Sequence, residues 1–462
     1  MSEPVSRARR IRGDFQTPDA LAEQVVRCLR RRLPDLDYPT FTALEPTCGI
    51  GAMLVAARGL SPKALVGVEV NGAHLSVAAE RLPRARLLHE DAFTTDWQRL
   101  VEGPVLLVGN PPWVTSAALG ALDSDLRPHG AHDLKGLDAL TGKSNFDVSQ
   151  WLGERWLQAY AHRKGALALV LKASVARKLL AFAWREGLPI ADASMHVIDA
   201  RRWFEASVGA CVLICRLGVR GEPRCPVYPD LDARAPSRTL GWSSDCGLIA
   251  DLDAFAEAAP LIGEGPQWRS GVKHDCARVL VLERGPDGVL VNGLGEPVHV
   301  EPEVLYPLMR GTDVARGYGC RRWLLLPQRE VGASTEGLAL SAPKAWAYLE
   351  AHRAVFEARR SRIYQGKPPY SIFGVGPYSF TDWKIAVSGL HREIVFQCVG
   401  PEKGRPVLFD DTVYVLPCAD EASARARHAA LSSMRIRRFF DALVFEDAKR
   451  PVTARLLRRL VV

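Results

Sequence analysis

At 462 residues the chain is long enough for two or more domains with full-sized cores. Hydrophobic residues make up 47% and charged residues 24%, a globular composition, and no apolar run reaches the ~18 residues of a membrane span. The net charge of +8 and the pI of about 9.0 favour a polyanionic partner.

The ten cysteines are scattered without a CxxC pair, and the histidines form no HExxH, so neither a metal site nor a disulfide framework is expected. The N-terminus is basic and polar with no signal-peptide core behind it, which makes the cytoplasm the expected location.

The chain opens on a basic arm, Arg7, Arg9, Arg10 and Arg12, and then reads Gly13-Asp14-Phe15-Gln16-Thr17-Pro18. Thr17 suits a helix cap with Pro18 in the first turn. Leu21, Val25, Cys28 and Leu29 follow at helical spacing.

A strand over 41–44 runs into Glu45-Pro46-Thr47-Cys48-Gly49-Ile50-Gly51, and 52–57 reads as helix. Strand, glycine-rich turn and helix open a nucleotide-binding α/β unit, with glycines that admit a ligand close to the backbone. The turn matches neither GxGxxG nor a P-loop. A second strand, 64–68, ends in Glu69, the spacing at which such folds place a carboxylate for ribose hydroxyls. A third, 86–89, ends in Glu90-Asp91-Ala92-Phe93, an acid beside an aromatic that suits a purine.

The fourth strand, 105–108, is apolar and delivers Asn110-Pro111-Pro112-Trp113. Prolines hold their carbonyls stiffly and donate nothing. Fixed acceptors at Asn110 and Pro111 beside the Trp113 ring suit a planar substrate with an exocyclic –NH2. The bland alternative is a proline turn closing a strand. These strand ends carry acids or amides at what should be one edge of the sheet, where ligands bind in open α/β folds.

Residues 114–146 form a long loop of the kind that serves as a lid or binding loop. A helix over 147–161, a strand over 166–171, a helix over 175–184 and strands over 196–199 and 210–217 complete the pattern. Residues 218–239, rich in Gly, Pro and Arg, read as a domain boundary. Beyond it, aromatics interleave with bases at 268–273, 321–323, 359–367 and 370–384, a pattern that suits a nucleic-acid surface.

The ordered motifs at 13–18, 45–51, 68–69, 90–93 and 110–113 resemble the gamma-class adenine-N6 DNA methyltransferases of restriction–modification and phage-defence systems. Two departures are Gln16, where an aromatic is more usual, and Cys48 in the glycine turn. The resemblance implies a Rossmann-like seven-stranded α/β domain binding S-adenosylmethionine (SAM) over residues 1–220. A linker over 221–240 and a mixed α+β target-recognition domain over 241–462 complete the expected order.

It implies that Thr17, Glu45, Pro46, Thr47, Gly49, Gly51, Glu69, Asp91, Phe93 and Asn110 hold the cofactor. Asn110, Pro111, Pro112 and Trp113 form the catalytic turn on this reading. Trp113 stacks on the flipped base, and Phe204 is either the second stacking ring or a core phenylalanine. Arg269, Lys273, Arg322, Lys367 and Lys384 are the candidate DNA contacts. The expected partners are double-stranded DNA and a separate restriction or defence subunit, because no nuclease motif is present. RNA bases, cytosine N4, a protein glutamine, or a non-catalytic DNA-binding subunit stay open as alternatives.

Overall fold

The computed structural model describes residues 16–114, 147–445, 447–448 and 450–462. The basic arm, residues 13–15 and residues 115–146 of the expected binding loop lie outside the described residues. The chain divides into two units, Met1–Asp253 and Ala254–Val462.

The first unit alternates strands and helices. Helix α1 (Asp19–Arg32) buries Leu21, Val25, Cys28 and Leu29, as their spacing requires. Thr17 does not cap it. Pro18 is the N-cap, and its carbonyl accepts from Leu21 and Ala22. Strand β1 (Thr42–Glu45) leads through the glycine turn into α2 (Ala52–Ala57). Then come β2 (Ala64–Glu69), α3 (Gly72–Arg81) capped by Asn71, β3 (Arg86–His89), α4 (Trp97–Leu100) and β4 (Val105–Gly109). The rest is α5 (Val148–Tyr160), β5 (Gly165–Lys172), α6 (Ala173–Arg185), β6 (Ile190–Ile198), α7 (Ala200–Phe204) and β7 (Ala210–Leu217).

These seven strands lie in the order β6-β7-β5-β4-β1-β2-β3. All neighbours from β3 to β5 are parallel, and β7 runs antiparallel between β5 and β6. This is the Rossmann-like α/β architecture, with helices covering a sheet whose central strands β4 and β5 are apolar and buried up to the closing Lys172 of β5. β4 lies directly against β1, pairing Thr42 with Val105 and Leu44 with Leu107, while β2 lies on the other side of β1. The strand order therefore reverses between β1 and β4, at the topological switch point where a crevice opens outside the carboxyl ends.

Three further strands extend the sheet to ten: β8 (Arg224–Tyr228), β9 (Arg238–Ser243) and β10 (Gly247–Ile249). This corrects the linker expected at 221–240. β8 pairs with β6, and its Cys225, Val227 and Tyr228 are buried, so a stretch with linker composition is part of the first unit. The unit ends at Asp253 rather than at 220.

The second unit is mixed α+β. One sheet has the order β11-β19-β16-β17, from Arg269–Ser270, Val413–Cys418, Trp383–Ser388 and Phe396–Val399. The other has the order β13-β12-β15-β14-β18, from Leu290–Val291, Val281–Arg284, Arg322–Leu325, Leu305–Met309 and Leu408–Phe409. Helices at Glu421–Leu431 and Met434–Leu443 pack on the first of these sheets through Ala424, Leu431, Phe439 and Phe440. Among the described residues no helix is long and apolar enough to cross a membrane.

Candidate active site at the carboxyl edge of the sheet

The parallel pairing of β3, β2, β1 and β4 puts the motifs that follow them at one edge. The glycine turn is built around two left-handed residues, Gly49 at φ +51° and Gly51 at φ +79°. It is tied to β2 by the Cys48 N–H, which donates to the Val68 carbonyl at 2.8 Å. Glu69 clamps it further. One carboxylate oxygen accepts from the Gly49 N–H at 2.8 Å and the other from the Asn71 N–H at 2.8 Å.

Glu45 lies beneath the turn, 3% exposed, and accepts from the Leu54 N–H in the first turn of α2 at 3.2 Å. Burial pushes its carboxyl well above the usual carboxylate range, and the Glu69 charge adds to the effect. The Thr47 hydroxyl is buried with no hydrogen-bond partner among the described residues. The Cys48 thiol is buried, and desolvation pushes its pKa up, with Glu45 and Glu69 adding to the shift. A thiol held protonated in this way is a poor nucleophile.

The Cα atoms of Gly49 and Gly51 are both closely covered by side chains. A Cβ on Gly49 would collide with the Gln16 carboxamide, and one on Gly51 would meet Leu82 Cδ1 at 2.9 Å. Gln16, a departure from the family pattern in sequence, packs directly on the glycine turn. Its carbonyl oxygen accepts from the Ile50 N–H at 3.1 Å. Thr17 beside it is buried.

After β3, Asp91 accepts from the Phe93 N–H at 2.9 Å, which folds the acid and the ring into one tight turn. The Phe93 ring packs against Trp151 of α5 at 5.2 Å between centroids. After β4, the Asn110 side-chain oxygen is buried, and Trp113 and Phe204 sit in the same core cluster. Their rings meet edge to face, 5.1 Å apart and 65° between planes. Residues 91 positions apart in sequence are thus brought together by the sheet order.

The same edge holds an ion pair that sequence reading missed. Lys172, at the end of β5, donates to Asp147 at 2.7 Å, and Asp147 also caps α5. The signal was present as a lysine closing the apolar run 165–171.

The candidate DNA contacts of the second unit fare unequally. Lys367 is exposed. Lys273 is partly exposed and pairs with Asp275 at 3.0 Å, and Arg269 lies over Tyr378 at 5.5 Å. Arg322 is committed to Asp313 at 3.1 Å and Glu283 at 2.9 Å. Lys384 is overturned as a phosphate contact. It is 1% exposed, its ammonium donates to the Thr381 carbonyl, and burial lowers its pKa to about 8.

No family model matches the chain. The chain is 37% identical, over an alignment of 465 residues, to the Type II methyltransferase M.NspV of Nostoc sp. (strain ATCC 29411 / PCC 7524). The alignment covers 97% of this chain and 95% of that relative. Among solved structures, the Type IIL restriction-modification enzyme MmeI in complex with DNA has a similar fold, with a TM-score of 0.56 over 99% of this chain and 69% of that one. Their identity is 14%, so this likeness is one of fold.

Proposed function

The chain belongs to the Type II methyltransferases, and on that premise we propose that it methylates N6 of an adenine flipped out of duplex DNA, as a gamma-class enzyme. SAM is the methyl donor, and when bound it supplies an electrophilic methyl group on a sulfonium. The observation that carries the reading is the juxtaposition of β1 and β4, which sets the glycine turn beside Asn110-Pro111-Pro112-Trp113 at the switch point.

The residues present fit the donor. Glu69 has its two oxygens fixed by backbone N–H groups, and each keeps a lone pair for a ribose hydroxyl. The buried Thr47 hydroxyl lies in the turn with a hydrogen bond still to make. Asp91 and Phe93 form a compact acid–ring pair for adenine. Thr17, Glu45, Pro46, Gly49, Gly51 and Asn110 complete the proposed cofactor set. Glu45 and Gly51 shape the turn from beneath.

Adenine N6 is a weak nucleophile because its lone pair is delocalised into the ring. The Asn110 side-chain oxygen and the Pro111 carbonyl accept its two hydrogens and return that lone pair to nitrogen. Pro112 keeps the turn rigid, so these acceptors are in place before the base arrives. The base must leave the helix to reach them. Trp113 and Phe204 then take its two faces. A base between two rings needs parallel planes about 7 Å apart, since each stacked step takes about 3.4 Å. Base entry therefore parts the edge-to-face pair.

Ala254–Val462 is the proposed target-recognition unit, with Arg269, Lys273 and Lys367 as phosphate or base contacts. A restriction endonuclease would be a separate chain. The experiment offers labelled SAM with duplex DNA, RNA and a glutamine-bearing protein in parallel. Transfer confined to DNA, with label on adenine N6, is expected. Label on RNA, glutamine or cytosine N4 would replace this reading.

A further inference from the structure

Two backbone N–H groups of the glycine turn are held by side chains from distant parts of the chain. Glu69 takes that of Gly49 at 2.8 Å, and Gln16 takes that of Ile50 at 3.1 Å. The Gln16 carboxamide occupies the space a Cβ on Gly49 would take, so a side chain at 49 would collide with it. Its amide nitrogen is 3.4 Å from Nδ1 of His74 on α3. One neutral side chain thus bridges the approach to α1, the glycine turn and α3. Arg81, at the end of α3, closes the same bridge by donating to the Ile50 carbonyl at 3.1 Å and pairing with Asp19 at 2.5 Å.

We propose that Gln16 is a positioning residue for SAM: its carboxamide fixes the Ile50 peptide, so the turn holds its ligand-accepting shape before the cofactor arrives. The inference rests on the reading of this turn as the SAM site. A turn with two left-handed residues has a large backbone entropy to lose on ordering. Ordering it in advance removes that cost from binding. Gln16 does so without adding a third carboxylate beside Glu45 and Glu69, which a glutamate there would do. The Cβ collision makes Gln16 and Gly49 interdependent, and each should lose part of its effect when the other is changed.

Calorimetric SAM binding to the full chain tests this with Gln16→Met, which keeps the volume and removes both amide bonds. The Kd should rise about fivefold, the equivalent of one neutral hydrogen bond. KM for SAM should rise with it, while kcat at saturating SAM stays unchanged. Gly49→Ala should weaken binding more, and it should cost less in a Gln16→Ala background than in the native one. If Gln16→Met shifts the cofactor-free thermal transition, Gln16→Asn, which keeps the amide and shortens its reach, is measured instead. An unchanged Kd in the variant, or strictly additive effects with Gly49→Ala, would overturn the positioning role. A native protein that binds no SAM would instead overturn the reading of the turn itself, and the proposal with it.

Discussion

Glu69 reaches back across twenty residues of sequence to take the backbone N–H of Gly49 at 2.8 Å. The end of β2 is thereby fastened to the turn that follows β1, and both carboxylate oxygens are held by backbone N–H groups, those of Gly49 and Asn71. Hydrogen bonds to a charged acceptor contribute about 1.5–3 kcal/mol each, more than neutral ones. Glu69→Gln should therefore raise the Kd for SAM by roughly tenfold or more. Calorimetry checks this, and an unchanged Kd would remove Glu69 from the cofactor site.

The Trp113 and Phe204 rings are 5.1 Å apart, and the proposed stacking of a flipped base between them requires that they separate. Stacking contributes about 1–3 kcal/mol per base. Phe204→Leu, which keeps an apolar side chain in the core, should lower kcat/KM for DNA about tenfold or more and leave the Kd for SAM unchanged. 2-Aminopurine at the target position should show less extrusion in the variant. The same fluorescence in both proteins would make Phe204 a core residue alone.

Cys48 sits in the turn but should take no part in bond making. Burial holds its thiol protonated. Cys48→Ala should keep kcat within about threefold, because the lost packing is that of one small side chain. A fall of several hundredfold would point to covalent chemistry instead.

Lys384 is a buried cation whose pKa falls to about 8 from an ordinary 10.5. A depressed lysine binds fewer protons folded than unfolded between these values, so the protein should gain stability as pH rises from 8 to 10.5. Lys384→Met should remove that slope and be the more stable protein at pH 7, by an amount on the order of 1–3 kcal/mol. Denaturant unfolding at pH 7 and pH 10 measures both. DNA affinity and its salt dependence should be unchanged. Lys367→Ala, at an exposed position, should reduce the salt slope by about one.

Much of the first unit was legible because β1, β2 and β4 are largely apolar runs that stop at an acid or at a glycine followed by an amide. Glu69, Asp91 and Asn110 stand where those stops placed them, at the carboxyl edge. β6 was read short because a bulge between Ala191 and Ser194 breaks its period. β8 was hidden by Pro226 and its polar flanks, which mimic a linker although Cys225 and Val227 are buried. The contact of Trp113 with Phe204 depends on sheet order, which no local pattern encodes. Lys384 misled for a related reason. β16 is covered on both faces, with Ile385 and Val387 in one core and Ala386 in another, so a charged residue there is interior whatever its type. Gln16 was passed over because its importance lies in the Ile50 N–H and the bare Cα of Gly49, 33 and more residues away.

The most direct measurement is single-base mapping of methylation on DNA incubated with SAM and either the native protein or Asn110→Ala. The predicted result is N6-methyladenine within one short motif, reduced on the order of a thousandfold in the variant, as expected for losing a preorganised acceptor at the reacting atom. Native protein that binds SAM yet leaves every adenine unmethylated, or an Asn110→Ala protein that methylates at the native rate, would contradict the account.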